Sequence, residues 1–319
     1  MIFFKSIATI ENRISRHLQR VCAITLLAPS LAFAIIGGEG VDPNTASSPW
    51  AGVGSVLTSN GTFSGTLIAP NYVLTAAHVV AGIAGNPSAV TFQMNAGASV
   101  QIAAQQIFVN PGYTGVAASD GIVHNDLAII RLGDLAPAGV PYYSLYSPAV
   151  TTGTTLKLVG YGTGGDGLTG ATILNDPTVK RTGENKADIL LPYGATHDVF
   201  MYDFDGPSFA SNAFGANVAA NATLGTNVEA TVGTGDSGGA AFVFDNGTWK
   251  LAGVNTFTGS VGIGAPGFYG SIGGGMLLSA QSTWINSVVV PVPEPSSLAM
   301  LLAGLGLIGF AGSRSLFQV

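Results

Sequence analysis

Thr234-Gly235-Asp236-Ser237-Gly238-Gly239-Ala240 sets one serine among small residues, with glycines on both sides and a carboxylate directly before it. This suits a nucleophile turn, in which the hydroxyl is exposed and backbone N–H groups are free to face one oxygen. Serine alone is a weak nucleophile, so the reading requires a base within hydrogen-bond reach and a group that orients the base. Both residue types occur upstream. Phe63-Ser64-Gly65-Thr66-Leu67-Ile68-Ala69-Pro70-Asn71-Tyr72-Val73-Leu74-Thr75-Ala76-Ala77-His78 ends in a histidine, and His124-Asn125-Asp126-Leu127-Ala128-Ile129-Ile130-Arg131-Leu132 carries an aspartate.

The surrounding composition fits an exported, turn-rich β protein: 319 residues, 45 of them Gly, and only 9% charged. Within residues 35–290 six basic residues face fifteen acidic ones, a balance that excludes nucleic acid as a partner. The single cysteine, Cys22, lies near the N-terminus, so the body has no disulfide and depends on core packing. From residue 49 onward, short apolar or alternating runs such as 52–57, 63–68, 90–94 and 128–132 are broken by Gly, Pro, Asn and Ser. That spacing predicts an antiparallel barrel or sandwich rather than helices.

Thr75-Ala76-Ala77-His78, Asn125-Asp126-Leu127-Ala128 and Gly235-Asp236-Ser237-Gly238-Gly239, in that order, resemble the trypsin/chymotrypsin-like serine proteases over residues 35–288. The resemblance implies an all-β fold of two antiparallel six-stranded β-barrels, at about 36–145 and 155–278, closed by a C-terminal helix at 279–288. His78 and Asp126 would come from the first barrel and Ser237 from the second. Serine attack, proton transfer through His78 and orientation by Asp126 follow from that family, with the Gly235 and Ser237 N–H groups as the oxyanion hole. The implied partner is a protein or peptide substrate, with no cofactor and no metal.

The family's primary pocket maps onto Thr231 at the base, in place of the Asp of Arg/Lys-specific members, with Thr258 and Gly267 as walls. Thr256, Phe257 and Thr258 would pair with substrate backbone. A shallow neutral pocket for small or medium apolar side chains is expected. In the family a freed N-terminus pairs with the carboxylate beside the serine, which here means Ile35 with Asp236. Of the remaining titratable residues, His124 has no family motif behind it and His197 reads as a loop residue. Asp203-Phe204-Asp205-Gly206 has a faint calcium-like spacing but reads as solvated loop acids, and the direction of Glu229 is open.

The two ends read as targeting segments. Residues 1–34 combine basic positions, an apolar run and Ala32-Phe33-Ala34, a secretory signal that signal peptidase would cut to expose Ile35. The protease domain spans 35–289. Residues 290–319 begin with Val290-Pro291-Val292-Pro293-Glu294-Pro295, continue through uncharged residues 295–313 and end near Arg314. As a helix that uncharged stretch would measure about 28 Å, enough for a transmembrane span. The pattern resembles the PEP-CTERM sorting signal. It implies export in a Gram-negative bacterium, membrane anchoring by the C-terminal helix, then processing by an exosortase and delivery to the cell surface or beyond.

Overall fold

The computed structural model describes residues 35–194, 196–208, 211–214, 223–225 and 228–289. The expected signal peptide and C-terminal sorting helix therefore lie outside the described residues, among which no helix is long and apolar enough to cross a membrane.

The chain begins with β1 (Gly40–Val41), followed by β2 (Val53–Thr58), β3 (Gly61–Ala69), β4 (Tyr72–Thr75), β5 (Thr91–Asn95), β6 (Ser99–Val109) and β7 (Ala128–Leu132). Strands β2 to β7 form a closed antiparallel barrel in the order β2-β3-β4-β7-β6-β5. Its strands carry apolar side chains including Val53, Leu67, Leu74, Phe92 and Ile129, all fully buried. Burial on this scale contributes about 1.5–3 kcal/mol per large side chain, which is how a body without disulfides is held.

The second half contains β8 (Thr155–Gly160), β9 (Gly164–Asp166), β10 (Gly170–Ile173), β11 (Arg181–Lys186), β12 (Ile189–Tyr193), β13 (Thr196–Asp203), β14 (Ala240–Asp245), β15 (Thr248–Ser260) and β16 (Ser271–Leu277). Eight strands form one ladder in the order β1-β11-β8-β14-β15-β16-β13-β12, and β9 and β10 make a separate ribbon. β11 and β12 are one bent chain path: β11 pairs with β8, and after Ala187 and Asp188 the chain continues as β12 paired with β13, which links the two ends of the ladder. His197, expected in a loop, lies on β13 opposite Pro192.

An aromatic joint packs the halves together, with the Phe242 ring 5.2 Å from Trp50 and 4.6 Å from Tyr143. A short helix, Ser282–Val288, follows a 3-10 turn at Ser279–Gln281, as expected for the chain end of this fold. Gln281 donates to Asn125 Oδ1 at 2.9 Å and accepts from Asn110 Nδ2 at 2.9 Å, tying the end of the second half to the segment that carries Asp126.

Candidate active site

Register explains why His78 and Asp126 meet. Antiparallel β4 and β7 place Thr75 opposite Ala128. Three residues beyond Thr75 and two before Ala128, both chains leave the barrel on the same side. His78 sits on the short helix Ala77–Val80, and Asn125 turns the other segment with a φ of +55°. Asp126 accepts twice from His78, at Oδ1 from the backbone N–H at 2.8 Å and at Oδ2 from Nδ1 at 2.7 Å. The carboxylate is 6% exposed and the imidazole 34%. Because a carboxylate faces Nδ1, that nitrogen carries the proton and Nε2 keeps its lone pair for the cleft.

The Ser237 turn is pinned from both halves. Ser64 N–H donates to the Ser237 carbonyl at 3.0 Å and Ser64 Oγ to the Gly235 carbonyl at 2.9 Å. Gly238 N–H donates to the Asn255 carbonyl at 2.8 Å. Gly238 has a φ of +84°, and a side chain there would strike the Thr75 hydroxyl and the Ser64 carbonyl. Only glycine therefore lets the serine turn settle onto the end of β4, three residues before His78. Among the described residues the N–H groups of Gly235 and Ser237 have no intramolecular acceptor, and Ser237 Oγ makes no hydrogen bond to His78. Apo proteases commonly show that last contact long, tightening only with substrate.

Asp236 is fully buried, with Oδ1 accepting from Gly162 N–H at 2.8 Å and Oδ2 from Gly233 N–H at 2.9 Å. Burial pushes its pKa up to about 6 against those two donors and the positive charge of Arg181. Ile35 is also fully buried, in a cluster with Leu158, Ala230 and Val232. Ile36 exchanges backbone hydrogen bonds of 3.0 and 2.9 Å with Thr231, five residues before Asp236.

Thr231 is fully buried, and Thr256, Phe257 and Thr258 lie on β15. Backbone pairing along this edge of β15 ends at Asn255, so the edge beyond that point is open for a peptide strand. Gly267 is not opposite Thr258. It sits in the loop before β16 with Ile36 and Ala171 as neighbours, and the register places Gly273 across from Thr258. The Glu229 carboxylate accepts from the N–H groups of Asp205 and Leu224, and burial raises it to about 7. Asp203 and Asp205 are buried rather than solvated, and the described residues contain no metal-binding group of three or more side chains.

Sequence reasoning missed a second histidine cluster beside the first. His124 is buried, its Nδ1 3.0 Å from Asp198 on β13 and its Nε2 2.9 Å from Asp120, while the ring stacks on Tyr193 at 4.2 Å. Burial lowers its pKa, but the hydrogen bonds and charges of Asp120 and Asp198 outweigh that and hold it above the ordinary value. The link therefore stabilises fully below about pH 6.5 and is lost as pH rises through the raised value. His124→Ala is expected to cost about 3 kcal/mol, because Asp198 is left buried without its partner. Thermal unfolding of both chains at rising pH tests this: the gap should be largest in mild acid and shrink in alkali.

The family model described as Trypsin matches residues 35–273, and that described as PEP-CTERM protein-sorting motif matches residues 291–315. Chymotrypsin-C from Bos taurus is 31% identical over 121 residues, which are 35% of this chain. The aligned stretch spans 42% of that relative's length. With three quarters of its length matched by one family model and a barrel that sets His78 on Asp126 at its rim, the chain belongs to the trypsin family.

Proposed function

We propose that the chain is an exported serine endopeptidase that hydrolyses peptide bonds through an acyl-enzyme. The observation that carries this reading is the two-point contact of His78 with Asp126. The pinned Ser237 turn, with two N–H groups free of internal acceptors, supports it. Ser237 Oγ attacks the scissile carbonyl carbon while His78 Nε2 takes its proton. The oxyanion is held by the Gly235 and Ser237 N–H groups, each worth about 3 kcal/mol. Collapse breaks the C–N bond, and the leaving amine takes the proton from His78. Water then adds to the acyl carbon, giving its proton to the same nitrogen, and Ser237 leaves with that proton.

Substrate backbone pairs with the open edge of β15 at Thr256, Phe257 and Thr258, and the neutral base at Thr231 disfavours Arg and Lys. Signal peptidase would release Ile35. The PEP-CTERM motif supports an exosortase-processed, surface-directed protein, anchored by its C-terminal helix before processing. Intact mass after fluorophosphonate treatment tests the assembled site: one adduct is expected, absent in Ser237→Ala and His78→Ala. A folded protein that takes no adduct would turn the assignment towards a binding protein built on a protease fold.

A further inference from the structure

We propose that Tyr202 fills the primary specificity pocket from below. The enzyme then takes peptides with Gly or Ala as the residue donating the scissile carbonyl, and selects them by apolar side chains lying in the groove beside His78. The assignment rests on the protease reading above and adds its substrate class.

The pocket can be located from both strands that flank it. Thr231, six residues before Ser237, is its base, and the register of β15 with β16 sets Thr258 opposite Gly273. Thr258 is fixed there by its hydroxyl, which donates to the Ile272 carbonyl at 3.0 Å. Tyr202, on β13, pairs with Gly273 from the other side of β16. A Cβ added to Gly273 would stand 2.6–2.7 Å from three atoms of the Tyr202 side chain, phenol oxygen included. The ring therefore lies against bare backbone, and any larger residue at 273 would collide with it. The phenol end faces the Val232 backbone and the Thr231 hydroxyl, and the whole residue is without exposed surface. Base and wall thus enclose a side chain of the protein itself, in the volume that a large substrate side chain would need.

The neighbouring groove is open. A cavity of about 580 Å³ reaches from His78 along residues 256–261 of the β15 edge and its following turn. Tyr113, Ile122, Met201, Phe257, Val261 and Ile272 supply apolar walls, and Thr231 is not among its lining residues. A strand-paired peptide would lay its preceding residues here, so recognition shifts from one deep pocket to an extended contact.

The test is a set of peptide anilides with constant apolar residues in the groove positions and Gly, Ala, Val, Leu or Phe before the scissile bond, cleaved by the purified exported protein. The parent enzyme is expected to prefer Ala over Phe in kcat/KM by about 100-fold or more, the scale on which apolar pockets discriminate. Tyr202→Ala should raise the Phe-to-Ala ratio about tenfold or more, and Tyr202→Leu, which keeps more of the volume filled, should raise it less. Parent activity on Leu or Phe equal to that on Ala overturns the proposal whether or not a variant folds. So does a folded Tyr202→Ala with an unchanged ratio. If the parent takes no fluorophosphonate adduct, the protease reading fails separately, and the pocket is then read by p-cresol. That compound should raise the Tm of Tyr202→Ala and not of the parent, and an equal response in both chains overturns the assignment.

Discussion

Replacing Ser237 by Ala is expected to lower kcat on a peptide substrate by about 10⁶-fold, the loss seen when a triad nucleophile is removed. The change should leave stability nearly intact, because the Ser237 hydroxyl has no hydrogen bond to His78 and the turn is held by backbone and by Ser64. His78→Ala should cost about as much in rate, since nucleophile and base act as one unit and their losses do not add. Asp126→Asn is expected to cost about 10⁴-fold, by the wrong tautomer rather than by lost geometry. An amide oxygen can still accept from the His78 N–H, as Asp126 Oδ1 does at 2.8 Å, but the amide NH₂ then faces Nδ1 and drives its proton to Nε2. Rates per titrated active site decide the matter. Retention of about a tenth of the parent rate by Ser237→Ala would remove the acyl-enzyme from the mechanism.

What the sequence disclosed and what it hid divide along physical lines. The meeting of His78 with Asp126 was legible because residue types suited to proton transfer are few, and they stood in short motifs next to their strands. The closed first barrel was legible as alternating runs broken by turn residues. The pocket was not, because strand register is set by pairing partners far away in sequence and a slip moves every side chain. Gly267 looked like the wall, yet residues 268–272 intervene before the glycine that faces Thr258. The run Gly273-Gly274-Gly275 carried a usable signal, since bare backbone within a strand marks the close approach of something large, here the rings of Tyr202 and Phe257. The clamp on His124 was invisible for the same reason as the register: Asp198 lies 74 residues on. The division of one long strand into β11 and β12 likewise depends on a two-residue bend at Ala187 and Asp188 that no motif marks.

The second large effect concerns the start of the mature chain. A mature protein beginning at Ile35 is expected to be fully active, and the same chain with one added residue before Ile35 to lose about 10²- to 10³-fold in kcat/KM, the scale of one misplaced oxyanion donor. With residue 35 still in peptide linkage, burial pushes the Asp236 carboxylate up to about 6. A carboxylate with a raised pKa favours the fold only when protonated, so its ionisation costs stability as pH rises through about 6. A freed ammonium at Ile35, whose following residue pairs with Thr231 in the same loop, would offset that cost and hold the Gly235 to Ser237 turn in its working shape. An α-amino group has an ordinary pKa of about 7.7–8.0 and pairing raises it. Its contribution is therefore present below that range and lost as pH rises through the raised value, which should appear as an alkaline limb in kcat/KM. Arg181 is the competing cation. It is buried and donates from Nη1 to the Gly162 carbonyl at 2.7 Å, while Gly162 N–H donates to Asp236 at 2.8 Å. Full activity in the extended chain, with no alkaline limb, would show that Arg181 already holds the carboxylate in place. In that event Arg181→Gln should carry the loss instead, and signal peptidase would cease to be the activating step.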